Sequence, residues 1–249
     1  MQTNQITIIM KKIVLFLFVP ALMLSSCGYI GGKKVRGNGN WKTTERNFSS
    51  FNKIEVRGAI DVFITQGDFK PVKIETDENL QEYVEIREEG NTLIIETKSG
   101  YNLDPTQDMK VHVTAPVYKE IQASGACDIV SESKINNAEA ISFGVSGAGE
   151  IKVELSAPKV DVDLTGAGSV TMVGETKDFS LELSGAGNAK CFDLKTENTD
   201  VSISGAGDAE VFASVNLTGS ISGAGSIKYK GGAKHSVSTS GAGSVSKVD

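Results

Sequence analysis

Two aspartates, Asp61 and Asp128, occupy the same position in two related stretches of the sequence, each three residues after a glycine. Carboxylates in the groove of a β-rich scaffold could act as the acid and base of a polysaccharide lyase or hydrolase, which needs two of them a few ångströms apart. The sequence does not reveal that separation. The simpler interpretation is a turn carboxylate that accepts hydrogen bonds from nearby backbone, so we predict no catalytic residue.

The sequence offers little for metal or cofactor chemistry, and we predict neither a metal nor a cofactor. It has two histidines, His112 and His235, and no C-x-x-C pair, whereas zinc sites draw several ligands from such residues. We expect both histidines to face solvent from strands. Cys127 and Cys191 lie about three repeats apart, or ~14 Å if the repeats stack at ~4.8 Å, which is beyond disulfide reach.

The remaining cysteine, Cys27, points to acylation. Residues 13–24 form an apolar run preceded by two lysines, and these dimensions match a signal peptide better than the ~20 residues of a membrane-spanning helix. The run ends in Leu-Ser-Ser-Cys, which resembles a bacterial lipobox. That resemblance implies cleavage after Ser26 and acyl chains on Cys27, which together anchor a protein firmly to a membrane. The alternative is an ordinary secretory signal, and either Met1 or Met10 could be the true start.

Composition narrows the class of protein. The chain has 249 residues, with 25 Lys+Arg against 31 Asp+Glu and a net charge of −6. This acidic balance argues against a nucleic-acid partner, which basic patches recognise. Hydrophobic residues at 39% argue against a disordered chain, and the length allows one or two domains with a substantial core.

A Gly-Ala-Gly triplet recurs six times in the second half, at intervals of 18 to 20 residues. Its first glycines are Gly147, Gly166, Gly185, Gly205, Gly223 and Gly241. Apolar and polar residues alternate around each triplet with a period of two, as in strands with one buried face. A fixed period of this length predicts a solenoid, in which each repeat is one coil of a β-helix. Because stacked coils would turn at the same place, we interpret the triplets as glycine-dependent corners rather than phosphate-binding or calcium-binding loops.

The first half of the sequence alternates less regularly. Residues 84–87 and 92–97 predict two strands joined as a hairpin or a coil corner, and residues 77–81 predict a short helical turn. We therefore predict an irregular N-terminal β region over 48–140 and regular Gly-Ala-Gly repeats over 141–249. The two regions could form one continuous solenoid or two β subdomains.

The N-terminal segment divides into a predicted signal peptide over residues 1–26 and a predicted tether over residues 27–47. The tether is rich in Gly, Lys and Asn and lacks apolar periodicity, so we expect it to be a flexible link between the lipid on Cys27 and the domain. Gly28 follows the cysteine, where aspartate would favour the inner membrane. We therefore expect an outer-membrane lipoprotein. No acidic cluster of the kind found in surface-export signals follows Cys27, so the periplasmic face is slightly favoured over the cell surface.

The chain resembles the bacterial family called putative auto-transporter adhesin, head GIN domain, over residues 48–245. The residues that carry the resemblance are Phe51–Val62, Ile64–Asp68, Val72–Leu80 and the Ser-Gly-Ala-Gly series. The resemblance implies an all-β fold, a right-handed and largely parallel β-helix with coils of about 18 to 20 residues. The family is a domain of unknown function and implies no catalytic residues.

These features predict a lipid-anchored cell-envelope protein that binds without catalysis, because uniform repetition provides an extended surface rather than one pocket. A glycan, peptidoglycan or an envelope protein is the expected ligand. Trp41, Phe69 and Tyr101 could contact a sugar but are scattered in sequence. The alternative is a polysaccharide-processing enzyme, which would require the regular ladder to be broken in one place by charged residues, and residues 60–120 are where to look.

The last repeat, residues 240–248, carries the same pattern to its end without a polar cap. An uncovered end exposes strand edges that can pair with another chain. We therefore expect this end to be protected by the tail or to associate end to end with a second copy.

Overall fold

Alternation of apolar and polar residues builds a parallel β-solenoid of about seven turns in the computed structural model, which describes residues 32–249. This confirms the predicted all-β, largely parallel architecture. The predicted signal peptide and Cys27 lie outside the described residues. In chain order the strands are β1 (Lys33–Arg36), β2 (Trp41–Arg46), β3 (Lys53–Gly58), β4 (Asp61–Gln66), β5 (Val72–Asp77), β6 (Val84–Glu89), β7 (Thr92–Thr97), β8 (Tyr101–Asp104), β9 (Lys110–Ala115), β10 (Glu120–Gly125), β11 (Asp128–Ser131), β12 (Ile135–Asn136), β13 (Ile141–Gly147), β14 (Glu150–Gly166), β15 (Ser169–Gly185), β16 (Asn188–Gly205), β17 (Asp208–Phe212), β18 (Asn216–Gly223), β19 (Ser226–Lys230), β20 (Lys234–Gly241) and β21 (Ser244–Lys247).

The coils stack into two walls that meet at the glycine corners. Wall A contains β6, β7, β3, β10, β13, the second halves of β14, β15 and β16, and then β18 and β20. Wall B contains β2, β5, β9, β4, β11, the first halves of β14, β15 and β16, and then β17, β19 and β21. The ladder therefore runs without a break from the irregular region into the regular one, as one solenoid.

The core is built from stacked columns of apolar side chains. In wall A one column runs through the buried residues Ile54, Ile121, Phe143, Val162, Leu181 and Val201. Each coil buries only a few such residues, so neighbouring coils must cover one another's faces to complete the core.

The first glycine of each triplet sits where a side chain cannot. Gly185 has φ of +122°, and a Cβ on it would lie 2.4 Å from the carbonyl oxygen of Gly166 one coil earlier. The next residue, Ala186, donates its N–H to that same oxygen at 2.8 Å. Close contact between successive corners requires glycine, which confirms the interpretation of the triplets as corners.

One coil departs from the common length for a local reason. Lys190 pairs with Thr171 at an offset of 19 residues, but Asp193 pairs with Val173 at an offset of 20, because a bulge adds one residue to β16. Phe192 is the half-buried residue between buried Cys191 and exposed Asp193. This bulge accounts for the single 20-residue interval in the triplet series.

The N-terminal end is closed by antiparallel strands. β6 pairs antiparallel with β7, which confirms the predicted hairpin, and β5 pairs antiparallel with both β9 and β2. Between β5 and β6 a short 3-10 helix, Glu78–Tyr83, confirms the predicted helical turn. These reversals cover the edges of the first coil, which reduces the risk of unwanted strand pairing there.

The prediction of a flexible tether over residues 27–47 is wrong for residues 33–46. β1 runs parallel to β8, with Lys33 opposite Tyr101, and β2 runs antiparallel to β5, with Trp41 opposite Asp77. The sequence lacked an apolar period here because these short strands bury little of their own side chains. Backbone hydrogen bonds to strands far along the chain define them instead.

Candidate functional site

In the irregular region, one corner between wall A and wall B is replaced by a much longer connection. Arg57 of β3 lies opposite Glu96 of β7, and Asp61 of β4 lies opposite Lys110 of β9. Three residues, 58–60, separate Arg57 from Asp61 on the chain, whereas thirteen residues, 97–109, separate Glu96 from Lys110. This longer connection contains β8, which pairs with β1 outside the main ladder.

A cleft of about 440 Å³ lies between this long connection and the corner formed by Gly58 and Ala59. We call it the corner cleft. It is lined by Gly58, Ala59, Asp61, Thr97, Tyr101, Asn102, Leu103, Pro105, Asp108, Met109 and Ala126. Its volume falls within the usual range for small-ligand sites.

Asp61 is the half-buried carboxylate of the corner cleft. The backbone N–H of Asp128 donates to its Oδ1 at 3.3 Å. Burial raises the pKa of Asp61, and the nearby carboxylates of Asp128 and Asp108 act in the same direction, against that hydrogen bond. A carboxyl group with a raised pKa in a cleft is a candidate for binding or proton transfer.

The second predicted aspartate, Asp128, lies one coil further along. Its Oδ1 accepts a hydrogen bond from the backbone N–H of Glu150 at 3.1 Å. Asp61 and Asp128 are therefore neighbours in one column, each carboxylate bonded to the backbone of the next coil. This matches the turn-carboxylate interpretation, and of the two only Asp61 lines the corner cleft.

Several polar groups of the cleft are unengaged by the rest of the fold. The hydroxyl groups of Thr97 and Tyr101, the Asn102 amide and the Asp108 carboxylate make no side-chain hydrogen bond to another described residue. Asn102 and Asp108 are exposed, while Thr97 and Tyr101 are half-buried. The cleft therefore offers both donors and acceptors to a ligand.

Sequence reasoning identified Asp61 and named Tyr101 among three aromatic residues that could contact a sugar, but it missed Asp108. Tyr101 packs on Tyr83 with ring centroids 4.6 Å apart and lines the cleft, whereas Phe69 packs on Phe51 elsewhere at 5.2 Å. The signal was the unusual length between the alternating segments that became β7 and β9. Its functional meaning depended on knowing that those strands pair with β3 and β4.

The other predicted residues lie outside the cleft. His235 is exposed, as expected, and its Nδ1 lies 3.0 Å from the Tyr229 hydroxyl. His112 is only 30% exposed, because its ring stacks on Phe63 with centroids 5.2 Å apart. Its nitrogens lie 3.8 Å from carboxylate oxygens of Glu75 and Glu132.

Cys127 and Cys191 are buried free thiols. Burial raises the pKa of Cys127 to about 11 and that of Cys191 to about 12, so both are poor nucleophiles at neutral pH. Within residues 32–249, no cluster of three or more His, Cys, Asp or Glu side chains is arranged to hold a metal ion. The same residues include no helix with the length and apolar character needed to cross a membrane.

The regular coils carry a shallower groove of about 490 Å³. It is lined mainly by polar side chains, among them Glu175, Lys177 and Glu197, together with Phe212. Lys195 Nζ lies 4.4 Å from the centre of the Phe212 ring, a cation–π contact that covers part of this surface.

Comparison with protein families gives one match that covers most of the chain. The model described as putative auto-transporter adhesin, head GIN domain, matches residues 50–233. A comparison with curated proteins gives no match.

Solved structures share the fold over nearly the same span. A putative lipid binding protein from Parabacteroides distasonis is 27% identical, with 87% of this chain and 100% of that chain covered and a TM-score of 0.71. A putative adhesin from the same organism is also 27% identical over 87% and 100%, with a TM-score of 0.70. A putative adhesin from Bacteroides fragilis, 23% identical over 86% and 100%, has a TM-score of 0.79 and supports the fold alone.

Proposed function

The chain belongs to the family described as putative auto-transporter adhesin, head GIN domain, and from this we propose that it is a non-enzymatic, adhesin-like binding protein of the cell envelope. We propose further that a lipid on Cys27 anchors it in the outer membrane. The ligand under this proposal is a glycan, peptidoglycan or an envelope protein.

The observation that carries the proposal is the continuity of the outer surface over β14, β15 and β16. Outward residues repeat in register, as where Asp163 lies opposite Glu182 and Glu182 lies opposite Ser202. A stack of coils held by interstrand hydrogen bonds keeps such columns rigid over its whole length. Extended rigid faces of this kind are what solenoid proteins use for recognition.

The names of the relatives support the same class of function. The two solved relatives that are 27% identical are described as a putative adhesin and a putative lipid binding protein, and both descriptions denote binding.

The proposed anchor would hold the corner cleft close to the membrane. Gly32 comes five residues after Cys27, and five residues span at most about 18 Å. Because β1 begins at Lys33 and pairs with β8 beside the cleft, a lipid on Cys27 would place this end of the solenoid at the membrane surface. The regular coils would then extend away from that end.

Fractionation tests the anchor. Cells that express the full chain should incorporate labelled palmitate into this protein and retain it in the outer-membrane fraction. The Cys27→Ser variant should lose the label and leave the membrane fraction, whereas Cys191→Ser, which removes a buried thiol, should keep both. Labelling that survives Cys27→Ser would contradict the anchor.

Protease treatment of intact cells tests which side of the membrane the protein faces. We expect protection, with digestion only after the outer membrane is permeabilised, because the periplasmic face is slightly favoured. Digestion in intact cells, with a periplasmic control protected, would instead place the binding surface outside the cell.

The second candidate function is a polysaccharide lyase or hydrolase, and the pair Asp61 and Asp108 in one cleft is the observation that favours it. Incubation with neutral and polyanionic polysaccharides, followed by reducing-end and unsaturated-product assays, separates the two. We expect no product. Turnover that Asp61→Asn abolishes would overturn the non-enzymatic proposal.

A further inference from the structure

We propose that the corner cleft binds an uncharged saccharide of one or two sugar rings. This inference rests on the proposed binding function and names the ligand class for one part of the molecule. It follows from the charge, the hydrogen-bonding groups and the apolar surface of the cleft.

The negative charge of the cleft disfavours anionic ligands. Asp61 and Asp108 line it, and no lysine, arginine or histidine does. A uronate, phosphate or anionic lipid headgroup would lose its hydration and meet two carboxylates. Lys110 lies opposite Asp61 and offsets part of this negative charge, but it does not line the cleft and so offers a ligand no direct ion pair. A cation is the weaker alternative, because Asp108 is exposed and solvent screens its charge.

The polar groups match a ligand rich in hydroxyls. A carboxylate accepts hydrogen bonds from two hydroxyl groups, and bonds to an ionised acceptor are the stronger kind. The Asn102 amide and the Thr97 hydroxyl can each donate and accept, which suits hydroxyl groups that do the same. None of these side chains is held by a side-chain hydrogen bond within the described fold, apart from Asp61 with the Asp128 N–H.

The remaining lining suits the apolar face of a sugar ring. Tyr101, Leu103 and Met109 contribute an aromatic ring and two aliphatic side chains beside the polar groups. The C–H groups of a pyranose ring form an apolar face that packs on such surfaces, while its hydroxyls point outward to the polar rim. Packing of Tyr101 on Tyr83 at 4.6 Å holds the ring in place before a ligand arrives.

The experiment measures binding of defined probes to the full chain purified in detergent. The uncharged probes are cello-, malto-, manno- and N-acetylchito-oligosaccharides of two to six units. Oligogalacturonates serve as anionic probes and deacetylated chitosan oligomers as cationic probes. Titration calorimetry gives the affinities, and thermal melting confirms that each variant is folded.

Two variants change the cleft and one provides a matched control. Asp61→Asn removes the half-buried carboxylate charge, and Asn102→Ala removes an exposed amide that no described side chain needs. Asp208→Asn is the control, because Asp208 lies three residues after the first glycine of its corner, as Asp61 does. The corner before Asp208 is covered by the corner of the following coil, so no cleft forms there. Its carboxylate accepts a hydrogen bond from the Ser226 hydroxyl, outside the cleft.

We expect at least one uncharged probe to bind at least tenfold more tightly than either charged class. Asp61→Asn and Asn102→Ala should each weaken that binding at least threefold, with Asp208→Asn within twofold of the unaltered protein. Tighter binding of a charged class, or equal affinity in both cleft variants, would overturn the inference.

The same measurements separate failure of this inference from failure of the proposed function. If no uncharged probe binds, but the unaltered and Asp61→Asn proteins adhere equally to isolated cell envelopes, the saccharide inference is wrong and the binding function stands. Cleavage of any probe would overturn the non-enzymatic function itself.

Discussion

The regular and irregular regions of the solenoid are built from similar two-walled coils, but they differ in the structure of the corner between the walls. In the regular region the corner is always Gly-Ala-Gly, and each corner donates a hydrogen bond to the previous one, as from Ala167 to Gly147 at 2.8 Å. In the irregular region one corner expands to thirteen residues and leaves the corner cleft. Repetition therefore produces a uniform surface, and its interruption produces a site with distinct chemistry.

The outer faces of wall A differ in the same way. In the irregular region charges are paired both within and across strands, since Arg57 contacts Glu55 of its own strand at 2.6 Å and Glu96 of the neighbouring strand at 3.1 Å. In the regular region the wall carries Glu182 and Asp200 with Ser and Thr in the same rows. Exposed ion pairs contribute at most about 1 kcal/mol each, so this difference concerns recognition more than stability.

The largest effect is expected from breaking the regular corner. In Gly185→Ala the new Cβ would lie 2.4 Å from the Gly166 carbonyl, at φ of +122°, and we expect a loss of about 3 kcal/mol or more in the free energy of unfolding. Gly90→Ala is the matched control, because Gly90 has φ of +61° with open space around it, and it should cost only about 1 kcal/mol. Denaturant titration measures both, and equal losses would show that close stacking of corners is unimportant.

The next largest effect is expected in the irregular region, where individual buried hydrogen bonds, and not a repeated corner, hold the segments together. Asp77 is buried, and its carboxylate accepts hydrogen bonds from the N–H groups of Gly39, at 2.7 Å, and Thr106, at 2.9 Å. We expect Asp77→Asn to lower the free energy of unfolding by about 2 kcal/mol at neutral pH, as charge-assisted bonds are lost.

The Asp77 contribution should depend on pH in a defined direction. Burial opposes ionisation, but the hydrogen bonds from Thr106 and Gly39 prevail and hold the pKa of Asp77 below its usual value. A lowered pKa in the folded state gives stability that is present above the unfolded-state pKa and is lost as the pH falls through the folded-state pKa. The difference between the unaltered protein and Asp77→Asn should therefore shrink in acid, and a constant difference from pH 7 to pH 2 would contradict the assignment.

A smaller effect is expected from removing the bulge of the regular region. Deletion of Phe192 would leave Lys190, Cys191, Asp193 and Leu194 in strict outward and inward alternation, because Phe192 is the extra residue. We expect a change of less than about 1.5 kcal/mol. Deletion of Ser180 from β15, which has no bulge there, should be far more damaging, since a one-residue slip turns every later side chain to the opposite face. Similar losses for the two deletions would contradict this account.

The smallest effect on folding is expected at the last described coil, where we propose pairing with a second copy. Val245 is half-buried in β21, and within residues 32–249 the strands β20 and β21 each pair on one side only. Val245→Lys should lower the free energy of unfolding by no more than about 1 kcal/mol, because Val245 packs on the core but is only half-buried, and it should reduce self-association. Light scattering checks this, and an unchanged oligomeric mass would count against pairing.

Much of the regular region could be predicted from the sequence, because its determinants are local. The apolar residues Ile151 and Val153 alternate with polar neighbours within one strand. The interval between successive Gly-Ala-Gly triplets equals the length of one coil. The candidate site was only half predictable. Asp61 repeats the pattern seen at Asp128, whereas Asp108 lies in a connection that has no counterpart in the other coils.

The sequence by itself determined the coil length, the inward and outward faces and the positions of the corners, since period and alternation require no knowledge of distant residues. The tertiary structure alone decided that Lys33–Arg36 is a strand and that Tyr101 and Asp61 share a cleft. The reason is physical. Edge strands and clefts arise from contacts between segments that are tens of residues apart in the sequence. The local alternation of apolar and polar residues does not indicate which of these segments will pack together.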